Sequence, residues 1–175
     1  GLAQAPTPQA APPAPQPQAA PAPAPKPFPA GAKYAFINIQ RIAAESAEGK
    51  ALAGKVQALN QQKVNELNER NKALQASQQK LEAGASVLSA QAAAQLQKDI
   101  ERQQVDIQRF TEDAQQEIQA LTQQLQQEFY KVLTPIIEKV AKEKQVHFIF
   151  DAQQSGLVWA DPSLNLTADV VAALD

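Results

Sequence analysis

The sequence predicts an α+β chain, mainly α, in which a long antiparallel helical hairpin projects from a small β body. Three observations carry this. A long apolar stripe of helical period occupies the second half of the chain, a glycine interrupts the helical pattern near its middle, and short β-patterned segments lie at both ends of the helical region.

The stripe is Phe110, Ala114, Ile118, Leu121, Leu125, Phe129, Val132, Ile136 and Val140, with steps of four, four and three repeating. Eleven residues in three turns is about 3.67 per turn, close to the natural helix, so these side chains stay on one face of a nearly straight rod. An apolar face of this length has to be covered. Beyond residue 33 the chain is rich in Ala, Gln, Leu, Glu and Lys and poor in aromatics. That composition suits long helices better than one large core.

In chain order, residues 1–32 hold 11 of the 13 prolines, mixed with Ala and Gln. They read as an extended, disordered Pro/Ala-rich arm, a tether more than a recognition motif despite P-x-x-P spacings such as Pro12 to Pro15. Lys33–Ile39 alternates as a strand that is apolar on both faces. Arg41–Ala44 suits a helical turn, and Ser46 an N-cap. A helix with a narrow apolar stripe then runs from Ala47 to about Ala83, roughly 55 Å. Gly84 is placed to close it in a left-handed conformation, Ser86 to cap the next helix. That helix, from about Val87 to Lys144, would be on the order of 87 Å long, with Pro135 bending it near Lys131. Folding at the turn pairs residues whose numbers sum to about 170, so that Leu59 meets Phe110 and Leu52 meets Ile118.

The first helix runs out opposite about Gln123. Leu125, Phe129, Val132, Leu133, Ile136, Ile137 and Val140 then need cover from the strands, from another copy of the chain, or both. Val146–Phe150 reads as a second strand, Gln153–Gly156 as a turn and Leu157–Trp159 as a third strand. Asp161-Pro162-Ser163 is another turn, and Thr167 suits the cap of a last short helix, Ala168–Leu174. Three short strands make a poor sheet with open edges, so a homo-oligomer is expected.

The residue inventory excludes much chemistry. Formal net charge is -2, with no basic excess for nucleic acid. No cysteine is present, which removes disulfides and thiolate metal sites. No Gly-rich phosphate loop surrounds Gly49 or Gly54. His147, the sole histidine, sits in an apolar strand and reads as packed or hydrogen-bonded. Trp159 reads as body core with Tyr34, Phe36, Phe148 and Phe150. Neither catalytic, cofactor-binding nor metal-binding residues are assigned, and no enzyme is expected. No apolar run is long enough to span a membrane; contact with a membrane surface is left open. Methionine is absent, so Gly1 reads as a processed start, by removal of a targeting peptide or by trimming.

Three stretches resemble the Skp/OmpH family of periplasmic chaperones. Tyr34-Ala35-Phe36-Ile37-Asn38-Ile39-Gln40-Arg41-Ile42 resembles its opening strand, Ser46, Gly49 and Lys50 the start of its first long helix, and residues 156–167, GLVWADPSLNLT, its closing segment. The resemblance spans about residues 33–175. It implies a homotrimer whose β body, residues 33–46 and 124–175, is completed by trimerisation, with residues 47–123 as a hairpin tentacle turning near Gly84. It further implies a periplasmic, ATP-independent holdase without cofactors, which encloses unfolded outer-membrane β-barrel proteins between its tentacles and prevents their aggregation. The expected oligomerisation residues are Phe36, Ile37, Ile39, Leu125, Phe129, Val132, Ile136, Val140, Phe148 and Phe150. Client contacts are expected on the inner faces of the hairpin, residues 47–123, without individual assignments. Residues 60–105 depart from the family's basic tips, with six Lys or Arg against five acids. The alternative reading is a structural or adaptor coiled-coil protein of the cell envelope with a Pro-rich spacer arm.

Overall fold

The computed structural model describes residues 26–175. Strand β1 (Tyr34–Ile37) leads into α1 (Ile39–Glu45), then the hairpin helices α2 (Ala47–Gly84) and α3 (Ala90–Lys144), strand β2 (Phe148–Asp151), a 3-10 turn at Pro162–Leu164, and α4 (Thr167–Leu174). The reading of residues 1–25 as an arm lies outside the described residues. Of the arm's remainder, Phe28 packs against the core and stands under the Lys144 ammonium at 5.9 Å.

Capping sets the helix starts. The Asn38 side chain accepts from the Arg41 N–H and opens α1, and the buried Ser46 side chain accepts from the Gly49 N–H and opens α2 as expected. The next start differs. Ser89, not Ser86, caps α3 by accepting from the Ala92 N–H. Gly84 is not left-handed, since the positive-φ glycines are Gly31 and Gly156. It sits close under Leu88: a Cβ there would lie 2.5 Å from the Leu88 Cδ1, so that side chain would have to move, and the Leu88 N–H folds back on the Gly84 carbonyl at 2.7 Å.

With the turn at residues 85–89, the hairpin register shifts toward the tip. The Phe110 ring lies under the Lys63 ammonium at 5.6 Å and the Arg70 guanidinium at 4.4 Å. Its level on α2 is therefore between 63 and 70, at least one turn farther out than Leu59. α3 runs through Pro135 to Lys144, and the Thr134 hydroxyl donates to the Tyr130 carbonyl at 2.8 Å just before it. Gln145, at φ 54°, ends the helix in the left-handed region.

β1 and β2 pair in parallel, Tyr34 opposite Phe148 and Phe36 opposite Phe150, with the whole helical hairpin as their crossover. Phe36 also bridges to Asn165, and the Leu166 N–H donates to the Phe36 carbonyl at 2.9 Å. Leu157–Trp159, expected as a third strand, enters no ladder. Its side chains have the propensity, but among the described residues it pairs with neither strand, and Val158 is 99% exposed.

The core sits where α1, α4 and β1 meet the last third of α3. Ile42, Leu133, Val140, Leu166 and Val170 are fully buried there, with Leu125 and Phe129 nearly so. The lower part of the long stripe is thus covered largely from within the chain, by two helices of seven and eight residues. Thr167 is not the cap of α4; it is the first residue of that helix, and its hydroxyl is a buried strut.

Candidate assembly surface and hairpin

The two strands have opposite faces of different fate. Ala35 and Ile37, each 2% exposed, turn into the core. Tyr34, Phe36, Phe148 and Phe150 alternate onto the other face. There the rings stack across and along the ladder, Tyr34 to Phe148 at 5.8 Å between centroids and Phe148 to Phe150 at 6.2 Å. Phe36, bridged to Asn165, is half-buried, but the others stay open: Tyr34 is 58% and Phe148 56% exposed. Beside them runs a groove of about 320 Å³ lined by Tyr34, Phe36, Phe150, Leu157, Trp159 and Leu164. Within one chain these aromatics form an open face, and Trp159 is among its most exposed members.

The loop that carries Trp159 is held by short polar turns. The Asp151 carboxylate and carbonyl accept from Gln153, Gln154 and Ser155, and Gly156 turns the chain at φ 71°. The Asp161 carboxylate accepts from the Ser163 N–H at 2.9 Å and its hydroxyl at 2.7 Å. These two bonds, the backbone one first, hold its pKa below the ordinary value, with the Lys26 charge adding in the same direction. His147, expected to be packed or hydrogen-bonded, is exposed, and its backbone N–H donates to the Lys33 carbonyl at 2.8 Å.

The ten residues expected at an assembly seam divide. Ile37, Leu125, Phe129 and Val140 lie in the chain's own core. Phe36, Ile39 and Ile136 are half-buried, while Val132, Phe148 and Phe150 are exposed. Tyr34, Val158 and Trp159 were not in that set, although alternation along β1 already puts Tyr34 on the face of Phe36. A second groove, about 480 Å³, lies at the hairpin base between Ile39, Leu52, Val56, Leu125, Phe129 and Tyr130.

Farther out, the hairpin is pinned by charge as well as apolar contact. Lys63 meets Glu117 at 2.6 Å, and its side chain keeps only 17% exposure. The Glu117 hydrogen bond raises the Lys63 pKa above its ordinary value, against some desolvation. The apolar stripe predicts Phe110 at this seam, but not the two cations on its ring. Among the described residues no three His, Asp or Glu side chains converge as a metal site would require, and no helix is long and apolar enough to cross a membrane.

The described residues form a mainly helical fold, with a small two-stranded sheet open on its aromatic face and one long projecting hairpin. The model of the family described as outer membrane protein (OmpH-like) matches residues 33–174. The chain belongs to the OmpH-like family, a chaperone family and not one of enzymes. Its fold is similar to the crystal structure of a proposed outer membrane chaperone (OmpH-like) from Caulobacter crescentus CB15, with a TM-score of 0.76 and 25% identity over 86% of this chain and 88% of that one. No curated protein matches the chain.

Proposed function

We propose that this protein is an ATP-independent holdase of the periplasm that assembles as a homotrimer and shelters unfolded outer-membrane β-barrel proteins between its hairpins. The observation that carries the reading is the uncovered aromatic face of the β1–β2 sheet. A two-stranded sheet with three exposed aromatic side chains, Tyr34, Phe148 and Phe150, on one face is unfinished, and other copies of the chain supply the missing strands and cover. Residues Phe36, Phe148, Phe150 and Val132 are the members of the expected seam that remain available for this, joined by Tyr34 and Trp159.

Assembly at the body leaves the hairpins projecting from one end, with their polar Gln- and Ala-rich faces around a shared volume. Such faces make many weak contacts without a single tight site, so a client is held and still released. Nothing in this mechanism consumes a nucleotide. Light scattering tests the assembly: three chains of 18.8 kDa give about 56 kDa, whereas a monomer removes the proposal and a dimer favours an adaptor. Aggregation of a denatured outer-membrane β-barrel protein tests the activity. Suppression is expected near one trimer per client without ATP, and no suppression at excess removes the holdase reading.

A further inference from the structure

The described chain begins beside the aromatic groove. Gly31, at φ 81°, and the Ala32 N–H on the Pro29 carbonyl at 3.3 Å turn the backbone just before β1. On the far side of that turn Phe28 packs against the core under Lys144. Two residues earlier, the Lys26 charge acts on the Asp161 carboxylate. Asp161 stands on the rim of the groove lined by Tyr34, Phe150 and Trp159. Residues 1–25 therefore join the described chain at the edge of this groove.

The chemistry of the two matches. Residues 21–25 read Pro-Ala-Pro-Ala-Pro, and residues 1–25 carry no charged side chain. Alternating proline fixes φ near the PPII value, so little freedom is lost on binding. Grooves walled by aromatic rings are what such segments fit. Here Trp159 is 78% exposed, and Asp161, the one charged residue of the lining, already accepts two bonds from Ser163. Contacts of this kind are weak for a free partner. Pro25 is bonded directly to Lys26, and a short tether gives an effective concentration on the order of millimolar. A segment of another chain has no such advantage in dilute solution. We infer that residues 21–25 dock as a PPII segment in the aromatic groove of their own chain, with prolines on the Trp159 and Tyr34 rings. The Pro/Ala arm is then a cover for part of the open aromatic face, and not only a tether. The inference does not rest on the trimer.

Trp159 is the only tryptophan, so its fluorescence reports on this groove alone. The test compares acrylamide quenching in the full chain carrying Phe148→Glu with quenching in the same chain carrying also Pro21→Gly, Pro23→Gly and Pro25→Gly. Phe148 does not line the groove, and its change is chosen to remove cover by other chains. The glycine variant keeps length and charge and loses the PPII bias. Its Trp159 should be quenched roughly twofold more readily and emit at longer wavelength, since a docked chain covers one of the two faces of the indole. Equal quenching in the two proteins overturns the inference. So does shielding that disappears on dilution, which would assign the groove to a second copy. If Phe148→Glu keeps the parent mass, the aromatic face is not the seam between chains, Trp159 stays open in the assembly and the same comparison still decides. Docking and trimer therefore fail separately.

Discussion

The backbone N–H of Asn38 donates to the Thr167 hydroxyl at 3.0 Å, across 129 residues of sequence. That hydroxyl in turn donates to the Asn165 carboxamide at 2.6 Å, and Thr167 is 2% exposed. The Asn38 side chain meanwhile caps α1. One hydroxyl thus joins the end of β1, the start of α1 and the start of α4, the elements that cover the base of α3.

Thr167→Val keeps the shape and removes the hydroxyl, leaving a partly buried N–H unpaired. The expected loss is about 1–3 kcal/mol, read as a lowered midpoint in urea unfolding. Thr167→Ser, which keeps both bonds, should lose clearly less. Equal loss in the two variants would mean that the methyl contact, not the hydrogen bonding, matters here.

Gly49 and Gly54 both lie in α2 and should respond in opposite directions. A Cβ at Gly49 would overlap the Ala43 carbonyl, where α1 turns onto α2, while Gly54 has open space around it. Gly49→Ala forces backbone to move and should cost about 1–3 kcal/mol or more. Gly54→Ala should stabilise by about 0.5–1 kcal/mol, since alanine is the better helix former. Thermal unfolding of the two single variants decides this, and a stabilised Gly49→Ala would contradict the close approach.

This pair also shows what could be read from the residues and what could not. The cap at Ser46, the hairpin, its turn near Gly84 and the stripe from Phe110 were all legible, because each is a local pattern repeated or punctuated. The cover of Leu125, Phe129, Leu133 and Val140 was not. It comes partly from α1 and α4, and seven or eight residues give too few turns to announce a buried face. The need for glycine at position 49 is also nonlocal, set by a carbonyl of another helix. Leu157–Trp159 has strand propensity but no partner among the described residues, and propensity cannot report which edge a segment meets. At the candidate surface, the alternation of β1 and β2 put the aromatics on one face. The two cations on Phe110 depend on a hairpin register that a turn shift of a few residues changes.

The two shifted ionisations give opposite pH signatures. Asp161 is lowered, so its contribution is present above the ordinary value of 3.8 and lost as pH falls through its own lower midpoint. A carboxyl titration by NMR should place that midpoint below 3.8, and Ser163→Ala should move it back up. Lys63 is raised, so its contribution is full below 10.5 and lost as pH rises through its own higher midpoint. Glu117→Gln should lower that midpoint, because it removes the negative charge and the charge-assisted bond together. An unmoved Lys63 midpoint would mean that the ion pair is not maintained in solution.

Phe148 and Phe129 separate assembly from folding. Phe148 is 56% exposed on the open aromatic face, whereas Phe129 is 6% exposed in the chain's own core. Phe148→Glu should therefore dissociate the proposed trimer to a mass near 18.8 kDa with helical content retained, because the charge meets no core of its own chain. Phe129→Glu puts a carboxylate into the buried cluster, where Leu125 and Leu133 lie one turn away on the same helix, a burial that costs far more than a surface change, and should lower stability as well as mass. Ile136→Glu, at a half-buried position, should fall between. Leu74→Glu, out on the hairpin, should leave the mass unchanged. Light scattering with circular dichroism on the same samples distinguishes the cases. If Phe148→Glu keeps the parent mass, the open aromatic face is not the seam between chains.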